Sequence, residues 1–275
     1  MDRRSLTKTF AIHPALACMA MIAMLCVAAH ATEYTAFEPI AIRSDAEFTP
    51  EKGVIAGSGT SDDPYVISHL EIDASAAPYG ILVESVTAVF RIEDCRIFGA
   101  VSAAVRLVAT QSASVVRCSL EQSDTAIQLL EVGGTLVTDN EITGCTNAIL
   151  LQLASANEVA CNRAAEGLLG IALESWSEDN VIRDNTFDCT VALAIAQDCN
   201  RNVFYRNNFL STWLNCDAIG EWVSPSDEGN YWAGYWGNDA DGDGCGDTAF
   251  AIPGATRQRD TRPAMTPYHE EPSEG

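Results

Sequence analysis

A repeat of 22 or 23 residues restricts the fold of this chain more than any other feature. It appears when the chain is aligned on an Asn or Cys that precedes a short apolar segment. These marker residues follow one another at intervals of 23, 22, 22, 23 and 22: Cys95, Cys118, Asn140, Asn162, Asn185 and Asn207. Apolar residues recur three positions before and two positions after each marker, and a second series of apolar pairs recurs at the same intervals. Such an alignment indicates a repeat architecture.

Within each unit, apolar residues recur at every second position, which is the periodicity of a β-strand. Helices of ordinary length do not fit between the turns, and the L-x-x-L-x-L pattern of leucine-rich repeats is absent. A unit this short cannot bury its apolar face alone, so successive units must stack. The sequence therefore predicts an all-β fold. It is a right-handed parallel β-helix, or solenoid, of about 22-residue coils, with equivalent side chains in columns.

Three columns of the repeat have predicted structural roles. A small residue begins one strand in every coil, as a tight corner requires: Gly80, Ala104, Ala126, Ala148, Gly170 and Ala192. The Asn markers are expected to adopt the left-handed conformation at a turn and to stack their amides from coil to coil. A charged column beside them is expected to form ion pairs between coils: Asp94, Arg117, Asp139, Cys161, Asp184 and Arg206. Glu141 and Arg163 form a similar predicted pair, and we interpret these charges as solvated ladders rather than catalytic groups.

The first 31 residues have the pattern of a signal peptide. A basic start is followed by an apolar stretch and by small residues for cleavage: Arg3, Arg4, Lys8, the stretch from Ala15 to Ala29, and Ala31. An uncleaved N-terminal anchor is the competing interpretation. We expect a secreted or periplasmic, that is extracytoplasmic, protein with no membrane attachment after cleavage.

The rest of the chain divides into three predicted regions. Residues 32–79 form an N-terminal cap and the first coil, and residues 80–215 form the β-helix repeats. Residues 216–275 form a C-terminal cap with an Asp/Gly metal loop and a tail.

The predicted mature chain is strongly acidic. Removing residues 1–31 takes three of the 16 Lys+Arg and one of the 38 Asp+Glu, which leaves 13 and 37 and a net charge of −24. Such a surface repels phosphate backbones, so nucleic acid is excluded as a partner. The expected partner is a polysaccharide or another component of the cell envelope, and the expected state is a monomer.

Eight cysteines remain in the predicted mature chain, and none has C-x-x-C spacing. Cys95 and Cys118 fall on neighbouring coils of one column, close enough for a disulfide if the side-chain angles permit it. Cys145 and Cys189 share another column but lie two coils apart, which is too far for a bond. A free, buried Cys that packs as a small apolar residue is the alternative.

The turns at Asn157, Asn180 and Asn202, each an N-x-[VI] motif, resemble those of the NosD-like β-helix proteins of the pectate-lyase-like superfamily. The segments around 57–67 and 229–232, with Ile252 and Pro253, are similar to the opening and closing segments of that family. The resemblance implies a β-helix over nearly the whole mature chain. NosD is linked to copper-site maturation in a nitrous oxide reductase, but most relatives have no established activity.

The copper role is not expected to transfer to this chain. Copper prefers imidazole, thiolate and thioether ligands grouped together. The mature chain has only two histidines, His69 and His269, near opposite ends, and one methionine, Met265.

The strongest chemical motif is an Asp/Gly loop between residues 239 and 247. Its side chains and one backbone carbonyl match positions 1, 3, 5, 7 and 9 of an EF-hand-type calcium loop: Asp239, Asp241, Asp243, Cys245 through its carbonyl, and Asp247. Gly244 permits the sharp turn, whereas Phe250 stands where the bidentate Glu would be, and Asp260 could fill that vacancy. We therefore expect a structural calcium ion that fastens the C-terminal cap over the open end of the helix.

Aromatic residues are concentrated in the last third of the chain: Trp213, Trp222, Trp232, Trp236, Tyr231 and Tyr235. They are interpreted as a plug for the end of the core, with stacking on sugar rings as the alternative.

The sequence assigns no catalytic residue and leaves enzymatic activity open. The outward position between the two apolar residues of each pair shows no cluster of catalytic residue types: Leu82, Arg106, Gln128, Leu150, Ala172 and Ala194. Glu158, Arg163 and Arg183 are grouped, but nothing marks them as activated. The leading hypothesis is an exported, non-catalytic β-helix protein that binds glycan or another envelope component. The alternatives are a polysaccharide lyase or C5-epimerase acting on uronic-acid polymers, and a metalloenzyme maturation factor like NosD.

Overall fold

The computed structural model of the protein describes residues 33–268. The predicted signal peptide (1–31) and His269 therefore lie outside the described residues. Within them, the chain from Tyr34 onward is one compact unit. No helix in residues 33–268 is long and apolar enough to cross a membrane.

The N-terminal half of the described chain contains two short 3-10 helices, Asp45–Glu47 and Pro50–Lys52, and fourteen strands. The strands are β1 (Thr35–Phe37), β2 (Ile40–Ile42), β3 (Val54–Ala56), β4 (Tyr65–Ser68), β5 (Leu70–Asp73), β6 (Tyr79–Glu84), β7 (Phe90–Glu93), β8 (Arg96–Phe98), β9 (Ala103–Val108), β10 (Ala113–Val116), β11 (Ser119–Glu121), β12 (Thr125–Leu130), β13 (Leu136–Thr138) and β14 (Glu141–Thr143).

The second half of the described chain contains the remaining strands. They are β15 (Asn147–Gln152), β16 (Glu158–Ala160), β17 (Arg163–Ala165), β18 (Leu169–Glu174), β19 (Val181–Arg183), β20 (Thr186–Asp188), β21 (Val191–Ile195), β22 (Asn202–Tyr205), β23 (Asn208–Phe209), β24 (Leu214–Cys216), β25 (Gly220–Glu221), β26 (Tyr231–Trp232), β27 (Phe250–Ala251) and β28 (Arg259–Asp260).

Three long sheets run the length of the molecule, and each coil contributes one strand to each sheet. Sheet A has the order β1-β5-β8-β11-β14-β17-β20-β23-β26. Sheet B has the order β2-β6-β9-β12-β15-β18-β21-β24, and sheet C runs from β25 through β22, β19, β16, β13, β10, β7 and β4 to β3. Apart from the antiparallel pairs β3–β4 and β27–β28, the strands pair in parallel. This is the predicted right-handed parallel β-helix, with about eight turns.

The register of the sheets follows the sequence repeat. Val137 lies opposite Val159, and Ile142 lies opposite Ala164, so each repeat position faces its equivalent in the next coil. The inward side chains form one continuous apolar core along the helix. Strands β24, β25 and β26 add another coil to the three sheets, so parallel stacking extends to Trp232.

The Asn markers form a buried ladder, as predicted. Asn140 Nδ2 donates to Asn162 Oδ1 at 2.8 Å, and Asn162 Nδ2 donates to Asn185 Oδ1 at 2.9 Å. The ladder continues through Asn207 to Asn230. A second ladder joins the asparagines of the N-x-[VI] turns: Asn157, Asn180 and Asn202.

The expectation that Asn itself adopts the left-handed conformation is wrong. That conformation falls on the residue before each marker, for example Asp139 (φ 57°), Asp184 (φ 56°) and Arg206 (φ 55°). The turn at this preceding residue directs the next side chain inward, where the amide of Asn meets the amide of the neighbouring coil.

The small-residue column lies at the second residue of successive strands of sheet B, for example Gly170 in β18. A Cβ added to Gly170 would lie 2.6 Å from the Ala192 carbonyl oxygen and 3.0 Å from the Phe187 side chain. This position is therefore too closely packed for a large side chain.

The predicted charge ladders are present in part: two pairs of the column form, whereas Asp139 accepts the Thr138 hydroxyl and has no ion pair among the described residues. Arg117 pairs with Asp94 at 2.7 Å, and Arg206 pairs with Asp184 at 2.7 Å. The pair of Arg163 and Glu141 is longer, at 3.5 Å.

Candidate functional site

The outer face of sheet B carries an open cleft beside an exposed tryptophan, which we call the Trp213 cleft. Trp213 lies directly before β24 and is 71% exposed. The cleft has a volume of about 350 Å³ and is lined by Val191, Thr212, Trp213, Leu214, Asn215 and Pro253. The described residues show no ring or cation stacked on this indole. The site thus combines a free aromatic face with hydroxyl and amide groups.

A second cleft of about 320 Å³ lies on the same sheet and shares Asn215 with the first. Strands β18 and β21 supply its floor, Ala172 and Ala194, and the polar residues around it include Glu174, Gln197 and Asp217. Because both clefts include Asn215, they form adjoining parts of one surface at the C-terminal end of sheet B.

A row of hydrogen-bonded side chains leads along sheet B toward this surface. Arg106 Nη1 donates to Gln128 Oε1 at 2.7 Å, and Gln128 Nε2 donates to Gln152 Oε1 at 2.7 Å. Gln152 Nε2 then donates to Glu174 at 3.0 Å. The sequence analysis missed this row because it followed one outward position per coil, whereas the row shifts by two residues between Gln128 and Gln152. Aligning both outward positions of each strand would have found it.

A larger cleft of about 510 Å³ lies at the N-terminal end of sheet A. Its lining is acidic and includes Glu38, Glu51, Glu71 and Asp73. It has two aromatic residues: Phe37 is partly buried against the core, and Phe98 is covered by the guanidinium of Arg96, which lies 4.9 Å from the ring centre. It offers a less accessible aromatic face than the Trp213 cleft.

The structure brings three residues of the Asp/Gly loop together. Ligand atoms of Asp239, Asp241 and Asp243 all lie within 4.8 Å of one another. The Asp239 carboxylate accepts backbone N–H groups from Gly242 at 2.7 Å and Gly244 at 2.9 Å. The loop is thus curled around the first carboxylate.

Other groups near the loop already form hydrogen bonds or ion pairs. Asp247 Oδ2 accepts the backbone N–H of Ala240 at 2.9 Å, and Arg262 Nη2 lies 2.7 Å from Asp243 Oδ2. This cation lowers the pKa of Asp243, and it offsets part of the charge of the cluster. A metal ion would therefore compete with Arg262. Cys245, through which a carbonyl ligand is predicted, forms an isolated bridge with Ala264.

Asp260, considered for the vacant position of the loop, has a different role. It is fully buried and accepts the Asn230 backbone N–H at 2.7 Å and Trp232 Nε1 at 2.9 Å. It also accepts Asn230 Nδ2 and the Arg262 backbone N–H. Burial raises the pKa of Asp260, and these N–H donors act in the opposite direction. Asp260 ends the Asn ladder.

The predicted aromatic plug is present for two of the tryptophans. Trp232 stacks on Phe209 at 4.6 Å and on Phe250 at 4.7 Å, and Trp222 stacks on Phe204 at 4.6 Å. For the other two, the plug interpretation is wrong: Trp213 is 71% exposed and Trp236 is 91% exposed. Sequence periodicity could not separate the two groups because these residues follow the last aligned coil.

The grouped residues Glu158, Arg163 and Arg183 take part in ion pairs. Arg183 pairs with Glu158 and lies 2.8 Å from Asp184, whereas Arg163 pairs with Glu141. The charges of all three side chains are therefore compensated by ion pairs within the charge ladders.

The described residues do not fit a copper site. His69 lies beside Ser68, with 2.5 Å between Nδ1 and the hydroxyl oxygen. The cysteine thiols are mostly in the core, where burial raises the pKa of Cys145 to about 11. Within residues 33–268, the only group of three or more His, Cys or carboxylate ligands is the all-oxygen Asp cluster. Copper prefers softer donors.

A family model described as "Periplasmic copper-binding protein (NosD)" matches residues 42–237. The chain belongs to the NosD family. The periplasmic description of the NosD family agrees with the predicted export of this chain. A comparison of the chain with curated protein sequences found no match.

Among solved structures, the chain is similar to that titled "Crystal structure of alginate lyase from Paenibacillus sp. str. FPU-7". The identity is 11%, the TM-score is 0.41, and the alignment covers 70% of this chain and 97% of the other. A likeness at this level carries no argument about activity.

Proposed function

We propose that this NosD-family protein is an exported, non-catalytic glycan-binding β-helix, and that sugar rings bind in the Trp213 cleft. One observation carries the proposal: a 71% exposed indole stands beside a cleft that also presents a hydroxyl and an amide. Trp combines a large apolar face with a polar edge, which suits the alternating apolar and hydroxyl surfaces of a pyranose ring. Thr212 and Asn215 supply hydrogen-bonding groups.

The charge around the cleft favours a neutral or amino-sugar glycan over a uronate polymer. Glu174 and Asp217 line the adjoining cleft, and none of the residues that line either cleft is Lys or Arg. A uronate carboxylate would therefore meet carboxylates, and the acidic mature chain would repel the whole polymer.

Calorimetric titration with neutral, amino-sugar and uronic-acid oligosaccharides tests this proposal. Trp213→Ala should weaken binding about 3- to 10-fold, which corresponds to the loss of an aromatic contact. Trp236→Ala is the matched control because its indole is also exposed but does not line the cleft. No binding of any oligosaccharide, or equal effects of the two variants, would refute the proposal. Uronate binding with release of unsaturated, ultraviolet-absorbing products would support the alternative lyase function.

We also propose that the Asp/Gly loop binds calcium and thereby stabilises the C-terminal cap. The clustered oxygens of Asp239, Asp241 and Asp243 support this, because hard cations prefer carboxylate and carbonyl ligands. Bound calcium should raise the melting temperature.

Two variants with opposite effects test the calcium proposal. Asp241→Asn removes a ligand charge and should weaken calcium binding, whereas Arg262→Gln removes the competing cation and should strengthen it. Binding is measured by titration of the chelator-treated protein with calcium and by its melting temperature. An unchanged melting temperature with and without calcium would contradict the proposal.

A further inference from the structure

The marker column changes from Asn to Cys at its N-terminal end. Cys95 and Cys118 occupy this column on neighbouring coils, directly before Arg96 and Ser119, which lie opposite each other in sheet A. The Ser119 backbone N–H donates to the Cys95 carbonyl oxygen at 2.9 Å. The two cysteines are therefore stacked. Their relative exposures are 0% and 1%, so both thiols are enclosed by the core.

This stacking matches the geometry of a disulfide. Neighbouring strands lie about 4.8 Å apart, and disulfides join residues whose Cα atoms are about 4.4–6.8 Å apart. The free thiols have only weak partners to lose: Cys118 Sγ lies 3.5 Å from the Val116 carbonyl oxygen, and Cys95 Sγ lies 3.3 Å from that of Glu93.

The two thiols also interact with each other. A hydrogen bond with Cys118 lowers the pKa of Cys95, and the same contact raises the pKa of Cys118. The opposite directions of the two shifts reflect the contact between the two thiols in the stacked coils.

Four of the other cysteines have no thiol at the equivalent position of the next coil. Cys145 and Cys189 share a column but are separated by the coil of Gly167, where an added Cβ would lie 3.3 Å from Cys189 Sγ. Cys216 lies opposite Ile195, and Cys161 lies in the charge ladder beside Asp139 and Asp184.

We propose that Cys95 and Cys118 form a disulfide between successive coils when the protein folds in an oxidising environment. Both thiols lose their protons, and the two electrons pass to the disulfide of an oxidant such as oxidised glutathione, which leaves as two thiols. Because the closed core shields both sulfur atoms, the exchange takes place before these coils are packed. The bond joins the coils at the end of the column where no Asn amide is present.

The test is oxidative refolding with oxidised glutathione, followed by unfolding in denaturant without reductant, alkylation and mass spectrometry. Of the eight cysteines in residues 33–268, two should resist alkylation, and digestion should yield a peptide pair joined through Cys95 and Cys118. Modification of all eight in the refolded protein, or a different dominant pair, would overturn the proposal.

Two variants complete the test. Cys118→Ser should leave Cys95 open to alkylation, whereas Cys145→Ser, also a buried position, should leave the cross-link intact. Reduction of the wild-type protein should lower its melting temperature, and Cys118→Ser should remove that difference. If Cys118→Ser fails to fold, peptide mapping of the wild-type protein still decides the question.

Discussion

The Asn ladder makes a quantitative prediction at Asn185, which lies in its middle. The Asn185 side chain accepts the Asn162 backbone N–H at 2.9 Å and Asn162 Nδ2 at 2.9 Å. It donates to the carbonyl oxygens of Val159 at 2.8 Å and Arg183 at 2.9 Å, and to Asn207 Oδ1 at 2.9 Å. The residue is fully buried, so water cannot replace these partners.

The cost of Asn185→Ala follows from the groups that lose their partner. Asn162 Nδ2 retains the Val137 and Ala160 carbonyl oxygens, and Asn207 Oδ1 retains the Asn185 backbone N–H. The Asn162 backbone N–H loses its acceptor, and the Val159 and Arg183 carbonyls lose this side-chain donor. Both carbonyls belong to paired strands, and that of Arg183 retains the Cys161 N–H. One buried N–H left without a partner costs about 1–3 kcal/mol, so the variant should lose about 1–3 kcal/mol of stability.

Denaturant unfolding followed by circular dichroism measures this loss. Asn147→Ala is the matched control, because Asn147 is only partly buried and its Nδ2 makes one long hydrogen bond, 3.3 Å to Thr125 Oγ1. The control should lose about 1 kcal/mol or less. Equal losses in the two variants would show that the buried amide ladder does not stabilise the coils as argued.

Two further predictions concern carboxylates. Asp260→Asn replaces one carboxylate oxygen by an NH2 group, which must face either the Arg262 N–H or the N–H groups of Asn230 and Trp232. The variant should therefore lose about 1–3 kcal/mol in denaturant unfolding, and an unchanged midpoint would contradict this role. A hydrogen bond from Arg96 lowers the pKa of Glu121 in the folded protein. The stabilisation by this carboxylate is therefore present above its pKa in the unfolded chain and is lost as the pH falls through its pKa in the folded protein. Glu121→Gln should therefore lose at most about 1 kcal/mol at neutral pH, because the pair is partly exposed, and progressively less as the pH falls below the pKa of Glu121 in the unfolded chain. Glu166→Gln, which lacks an ion pair among the described residues, is the control, and a pH-independent loss for Glu121→Gln would refute the argument.

Sequence periodicity determined the fold because parallel stacking requires each coil to repeat the same pattern. Six markers and their apolar neighbours predicted the columns, the register of Val137 on Val159, and the amide and charge ladders. These contacts join equivalent residues of successive coils, so their spacing in the chain is visible as a repeat.

The tertiary structure decided what the repeat does not encode. It placed the left-handed residue before the Asn, and it brought Asp260 to the end of the ladder from 30 residues beyond Asn230. It also separated the exposed Trp213 from the buried Trp232, although both follow the last aligned marker. These features depend on where the nonperiodic C-terminal segment packs, and that is set by contacts between residues distant in the chain, which no local pattern specifies.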